Sequence, residues 1–191
     1  TAKLRPYFYM CAGCIFLTGF ILQSINGVYA AHMRDMGMEK EMLATISSIY
    51  ALALTFSKVF VGWVYDRFGL KTILYMCHGS TVLAFIALLM INSIGPSTFL
   101  IAVAFAITYA IALPLETLVI PLIVNDIFGS ASHDKILGIM AAMNYTGYAL
   151  GTPLVNVCYD ALGTYRPVFI GFAILMPVVN IIFHFVIKSS N

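Results

Sequence analysis

Charge is scarce in this sequence. Aspartate, glutamate, lysine and arginine make up 9% of its 191 residues, against roughly 25% in an average soluble domain. So few charges cannot coat a water-facing surface. With 61% of the residues hydrophobic, the solvent for most of the chain is lipid. A net charge of +2 is too small to suggest nucleic acid, and no such partner is expected. The cysteines Cys11, Cys14, Cys77 and Cys158 lie in or near apolar runs. They read as small packing residues, with no disulfide framework implied. Cys11 and Cys14 have C-x-x-C spacing, but a helix inside lipid without further ligands is a poor metal site. No metal or other cofactor is expected. There is no phosphate-cradling loop, nucleophile–base pair or zinc spacing, so the chain is not expected to be an enzyme. No internal repeat, low-complexity tract, charged tail or cleavable signal peptide stands out. The first residue is Thr1 rather than Met, as expected of a fragment or of a chain whose preceding residues were removed.

What is present is a series of long apolar runs. A bilayer core of about 30 Å needs a helix of about 20 apolar residues, and six such runs can be marked: 6–31, 42–64, 72–91, 97–124, 136–158 and 167–187. Polar or turn-rich breaks separate them. Helices are the reading that satisfies the backbone, because barrel strands alternate and are about half this length. The expected fold is therefore an all-α integral membrane bundle of six transmembrane helices in a single domain, 1–191. With the N-terminus inside, the inner segments hold Lys3, Arg5, Arg67, Lys71, Lys135 and Lys188, and the outer loops hold Arg34, Lys40 and Arg166. This bias puts both termini in the cytoplasm. The expected location is the cell membrane, plasma or inner. Tyr7, Tyr9, Tyr29, Tyr159 and Tyr165, near span ends, fit an interfacial belt.

Glycine and proline are frequent in the last three spans: Pro114, Pro121, Gly138, Gly147, Gly151, Pro153, Gly171 and Pro177. Gly147 and Gly151 form a small-x-x-x-small pair that lets two backbones approach. A role for these residues as moving hinges is the other reading.

Two ionisable residues are committed to membrane depth, Lys58 and Glu116. A charge at mid-bilayer costs about 2.5–3.5 kcal/mol on insertion scales and calls for a partner or a task. Lys58 lies eight residues before Asp66 and Glu116 ten before Asp126. Helical rise then sets them about 12 and 15 Å from the inner ends. At such similar depths they can pair if their helices face one cavity. Lys58 reads either as a snorkelling base or as a positive site for a substrate anion. Glu116 reads either as the structural partner of Lys58 or as the carboxylate that takes up a coupled proton. Asn26, Gln23, Tyr109, Asn144, Tyr145 and Tyr148 are polar at mid-span, and either line a cavity, with Asn26, Tyr109, Asn144, Tyr145 and Tyr148 as expected substrate-binding residues, or merely bond across helices. His32, His133 and His184 lie at span ends; His78 is the histidine inside a span.

The polar gap between the second and third runs reads Gly62-Trp-Val-Tyr-Asp66-Arg67-Phe-Gly69-Leu-Lys71. It resembles the G-x-x-x-D-R-x-G-x-[KR] loop of the major facilitator superfamily, which joins the second and third helices of a six-helix half. The resemblance implies a gating loop of Gly62, Asp66, Arg67, Gly69 and Lys71. Asp66 is expected to meet the free N–H groups at the start of another helix, with the fifth, near Lys135, as a plausible target. The bland alternative is a charged turn that stops the chain entering the bilayer.

Further on, Asp126-Ile-Phe-Gly129, Lys135-Ile-Leu-Gly138, Leu150-Gly-Thr-Pro-Leu154 and Tyr159-Asp160-Ala-Leu-Gly163-Thr-Tyr165 follow in that order. The series is similar to the C-terminal half of the monocarboxylate porter and oxalate:formate antiporter group. That resemblance implies one half of a major facilitator fold, helices seven to twelve of a twelve-helix transporter. The partners it implies are a small organic anion, the lipid bilayer and an N-terminal six-helix half. It also implies that Lys58, four residues ahead of Gly62, contacts a substrate carboxylate, although arginine is usual there. The pattern is departed from in two places. Leu54 stands where animal-type carriers place an aspartate, with Glu116 able to supply the carboxylate from the fourth span. The fifth span has no Lys or Arg after Lys135, where oxalate exchangers carry a second base. One intramembrane base suits a monocarboxylate better than a dicarboxylate. A carrier of a drug or sugar, or a non-transporting membrane sensor or scaffold, are the alternatives.

Overall fold

The computed structural model describes residues 5–92, 95–129 and 133–190, and among them the chain is helical, without strands. In order come α1 (Arg5–Asp35), α2 (Lys40–Met90), α3 (Thr98–Ala112), α4 (Pro114–Thr117), α5 (Val119–Phe128), α6 (His133–Leu162) and α7 (Arg166–Ser190). Among the described residues four stretches are long and apolar enough to cross a membrane: Tyr7–Asp35, Lys40–Met90, Thr98–Thr117 and Arg166–Lys188. Large apolar side chains such as Phe56, Val59, Trp63, Ile174 and Ile181 stand on the outside. That is the expected arrangement where the surroundings are hydrocarbon. This is a multi-pass membrane protein.

The polar gap at 65–71 is not the separate loop that the apolar runs predict. α2 runs through it for 51 residues, with one non-helical residue, Gly69, at φ 78° and ψ 178°. A straight helix of that length would be about 76 Å long, more than twice a bilayer core of about 30 Å. It is not straight. Near its start Ser47 Oγ lies 3.1 Å from the Tyr29 hydroxyl, and near its end the Leu88 carbonyl oxygen lies 3.0 Å from His32 Nε2. Tyr29 and His32 are three residues apart on α1, so the two ends of α2 return to one level. α2 is a helical hairpin that reverses at Gly69. A positive φ is nearly free for glycine and strained for any residue with a Cβ, so a single residue makes the turn.

The expected fourth run, 97–124, is also modified. It is divided into α3, α4 and α5, with breaks at Leu113 and Leu118. The cause is Pro114, which lacks an N–H and crowds the carbonyl four residues back.

The most extensive packing is α2 on α3 and α1 on α6. The second of these contacts is set by glycine on both sides. A Cβ at Gly147 would fall on the Phe16 carbonyl oxygen and 2.8 Å from the Phe20 amide nitrogen, and one at Gly151 would lie 2.5 Å from the Phe20 carbonyl oxygen. In return, a Cβ at Gly19 would lie 2.5 Å from the Asn144 carbonyl and side-chain oxygens, and one at Gly27 would fall on the Thr152 side chain. In lipid, where no hydrophobic force drives helices together, such close backbone approach is what supplies the contact. The Asp35 end of the bundle is closed by polar aromatics. The Tyr159 hydroxyl donates to Asp35 Oδ2 at 2.7 Å, Tyr159 stacks on Tyr165 with centroids 4.3 Å apart, and the Tyr165 hydroxyl donates to Asn156 Oδ1 at 3.1 Å. Burial, with Asp35 and Asp160 nearby, raises the Tyr165 pKa above its ordinary value, so its hydroxyl remains a neutral donor.

The α1–α6 contact predicts opposite outcomes for alanine at two glycines of one helix. Gly147→Ala overpacks the crossing and is expected to cost about 1–3 kcal/mol. Gly138, whose Cβ would meet nothing within 4 Å, is expected to gain about 0.5–1 kcal/mol on replacement by alanine. Thermal midpoints of the detergent-solubilised protein, at about 2–4 °C per kcal/mol, would separate the two; equal midpoints would show that the crossing is looser than described.

Candidate functional site

The break in the fourth apolar run is where the site is built. Proline at 114 leaves the Ala110 carbonyl without its helical N–H. Ser57, on the first arm of α2, repairs the loss: its hydroxyl donates to the Ala110 oxygen at 2.6 Å. Main-chain bonds bridge the break on either side. The Leu113 amide donates to Tyr109 at 3.1 Å, and the Leu118 amide to Pro114 at 2.9 Å. At the break itself the Glu116 amide donates to Leu113 at 3.1 Å, a tighter, three-residue bond. Pro121 likewise withholds an N–H from the Thr117 carbonyl. α4 is thus a short turn between two loosened points, with Glu116 in its middle.

Glu116 is buried, 6% exposed. The Tyr148 hydroxyl of α6 donates to its Oε2, and Asn144 lines the same cavity beside it. Asn144 and Tyr148 are one helical turn apart, so they share a face of α6. Asn144 is seated directly over Gly19, so the glycine crossing sets the height of this face of α6. Glu116 Oε1 and Asn144 Oδ1 are buried and have no hydrogen-bond partner among the described residues. Glu116, Asn144, Tyr145 and Tyr148 line a cavity of about 280 Å³, along with Thr117 and Pro121. What this arrangement offers is acceptors: it suits a hydrogen-bond donor, a cation or a proton.

The other residues singled out by sequence are placed differently. Lys58 is exposed and does not line the cavity. No ion pair joins it to Glu116, so the pairing that their similar depth allows is not made here. It lies one turn from Gly62, which faces Leu118 at the end of α4. Tyr109 is fully buried outside the cavity; its hydroxyl donates to the Leu22 carbonyl at 2.8 Å, and its ring stacks on Tyr50 and Phe105. It ties α3 to α1. Asn26 is exposed on α1, away from the cavity lining. Tyr145 is 65% exposed at the cavity's edge.

Asp66 and Arg67 are exposed. The Arg67 guanidinium lies over the rings of Trp63 and Phe68, at 5.7 and 5.9 Å from their centroids. Among the described residues Asp66 makes no hydrogen bond or ion pair with the start of α6; residues 130–132, which precede that helix, lie outside them. The bond that ties α2 to α5 at this end is a different one, from the Tyr65 hydroxyl to Asp126 Oδ1 at 3.1 Å.

Sequence reasoning passed over Ser57. Its signal was available: a proline within an apolar run frees the carbonyl four residues back, and hydroxyls of neighbouring helices are what satisfy such groups in lipid. Which neighbour would do so required the fold.

The Ser57 repair predicts non-additive stability. Ser57→Ala should cost about 1–3 kcal/mol, the penalty for a buried unsatisfied carbonyl. In a Pro114→Ala background, where residue 114 regains its N–H, the same substitution should cost less than half as much. A thermal double-mutant cycle measures the coupling; additive effects would remove Ser57 from this role.

Comparison with known proteins agrees with the architecture. The family model of the Major Facilitator Superfamily matches residues 11–190. Monocarboxylate transporter 12 of Homo sapiens is 24% identical over 163 residues, covering 82% of this chain and 31% of the human protein. Its Mus musculus counterpart is 22% identical over 197 residues, covering 94% of this chain and 40% of the mouse protein. The Rattus norvegicus counterpart is 22% identical over 181 residues, at 85% and 36% coverage. The chain thus spans about a third to two fifths of the length of these relatives. With the family model matched over nearly its whole length, this chain belongs to the major facilitator superfamily of membrane transporters.

Proposed function

We propose that this chain forms one wall of a secondary transporter for a small organic anion of monocarboxylate type. In this reading residues 1–191 are helices seven to twelve, with α2 supplying two of the six crossings and α3 to α5 together one. The termini are cytoplasmic, the membrane is the cell's plasma or inner membrane, and an N-terminal six-helix half faces the chain across a midplane site. Transport proceeds by rocking of the two halves, with no chemistry done on the substrate.

The observation that carries the reading is the buried carboxyl of Glu116, held by Tyr148 at a break in the fourth apolar run, with no cation beside it among the described residues. Such a group is costly to keep at this depth without a task. The cavity around it offers acceptors, which suits a proton and not a carboxylate. The positive charge for an anion is Lys58, exposed a turn away from the α4 contact. We assign anion binding to Lys58 and proton uptake to Glu116, with Asn144, Tyr145 and Tyr148 shaping the Glu116 cavity, Tyr109 holding α3 to α1, and Asn26 left as a candidate substrate contact on α1. Asp66, with Gly62, Arg67, Gly69 and Lys71, gates the cytoplasmic end. The monocarboxylate class is supported by the names of the relatives and by the single intramembrane base. Unpartnered acceptors at Glu116 and Asn144 would also suit a cation or a polyol. A drug- or sugar-type carrier is therefore the second reading, and a non-transporting sensor or scaffold the third.

Uptake of labelled lactate, pyruvate, formate and oxalate into proteoliposomes holding this half with its N-terminal half, with and without an inward proton gradient, tests the assignment. Saturable uptake of one acid is expected to fall at least tenfold in Lys58→Gln. Glu116→Gln is expected to keep exchange of that acid but to lose stimulation by the gradient. Unchanged uptake in Lys58→Gln would sink the anion assignment, and no uptake of any acid by folded protein would favour the other readings. Asp66→Asn should slow turnover more than it weakens substrate binding; full turnover would reduce the loop to a charged turn.

A further inference from the structure

The second arm of α2 and α7 hold a polar pair that the transport site does not use. His78 is 2% exposed and lies seven residues beyond Lys71, about 10 Å along the helix. Its Nδ1 is 2.7 Å from the Leu74 carbonyl oxygen one turn back. A carbonyl can only accept, so Nδ1 carries the proton and donates. The tautomer is thereby fixed, and Nε2 keeps a lone pair. Nε2 is buried, and no donor among the described residues reaches it. The side-chain amide of Asn180, on α7, lies 3.1 Å from the same Nδ1. Two N–H groups cannot bond each other, so the protonated Nδ1 selects the amide oxygen and turns the NH₂ group to the other side.

Both residues line a cavity of about 220 Å³, with Tyr75, Gly79, Pro177 and Ile181. Tyr75 and Ile181 are 60% and 67% exposed, so the cavity opens on the outer surface of the bundle. A Cβ at Gly79 would meet no atom within 4 Å; the glycine leaves the space open.

The requirement at Nε2 is a hydrogen-bond donor that can lie well inside the bilayer. Phosphate and ester groups of lipids only accept, a choline head has no N–H, and a primary ammonium is too strongly hydrated to enter to this depth. An aliphatic hydroxyl meets the requirement and can accept as well as donate. We propose that this cavity binds a membrane amphiphile whose polar group is a free hydroxyl, of sterol or diacylglycerol type. The hydroxyl donates to His78 Nε2 and accepts from the Asn180 NH₂ group, while the apolar body lies along Pro177 and Ile181.

The test uses the protein in phosphatidylcholine nanodiscs with photoreactive cholesterol and photoreactive diacylglycerol, the labelled residues being mapped by mass spectrometry. Saturable labelling is expected within 75–82 or 177–184. Labelling by one probe alone supports the proposal and names the source. The unlabelled alcohol should compete at least tenfold better than its methyl ether, which keeps shape and acceptor but lacks the donor. Labelling should fall at least tenfold in His78→Phe and in Gly79→Leu, which fills open space and leaves the helix contacts alone. Equal competition by the ether, labelling that persists in Gly79→Leu, or no saturable labelling by either probe would overturn the proposal. So would cross-linking of a neighbouring protein helix at Gly79→Cys in native membranes in place of lipid.

Discussion

A backbone carbonyl inside hydrocarbon must find its partner within the protein, because no water is there to stand in. Pro114 creates such a carbonyl at Ala110, and the arrangement around the site follows from how it is satisfied. Ser57 reaches it from the first arm of α2, so the arm and the broken helix are held at one relative height. The break lets α4 carry Glu116 as part of a short, separate turn and not as one more residue on a straight rod. A continuous helix would have no need of Ser57, and it would fix Glu116 by the phase of α3 alone.

The second constraint is the distance between α1 and α6. Four glycines, two on each helix, let the backbones approach so closely that a methyl group at Gly147 would collide with main chain. This is packing, yet its consequence is chemical. Asn144 sits over Gly19, Tyr148 is one turn further on, and Tyr148 donates to Glu116. The helix that makes the crossing is therefore also the one that holds the carboxyl, through Tyr148. The α1–α6 contact and the α4 break meet at Glu116 from opposite sides.

Much of this was legible in the sequence. The apolar runs and the small-residue pair at Gly147 and Gly151 predict helices and a close contact, and both are found. Glu116 stands out by type and depth alone. Its partner does not, because Tyr148 lies 32 residues away and bonding across helices depends on rotation about each axis. For the same reason polar residues at mid-span cannot be sorted by sequence. Tyr109 and Tyr148 look alike in that respect, yet one ties helices together with its hydroxyl satisfied by Leu22, and the other faces the cavity. The polar residues of the 65–71 gap suggest a loop, whereas Gly69 alone makes the reversal and its neighbours remain helical. For Asp66 the sequence offers a charge and a helix start near Lys135, but not the contact, and among the described residues no bond joins the two.

The separation of Lys58 from Glu116 has a physical consequence for any carrier built this way. Had they formed a buried ion pair, each would have compensated the other, and removing either would strand a charge at a cost of about 3–5 kcal/mol. An anion entering such a site would first have to displace the carboxylate from its base. With the two apart, the acceptor-lined cavity and the exposed ammonium can be occupied independently. Coupling between them then requires an element that both sense. α4 is placed for that role: it carries Glu116, and its end at Leu118 faces Gly62, one turn from Lys58. A short turn with a proline-weakened main-chain bond on each side would lose less by shifting than the continuous helices beside it.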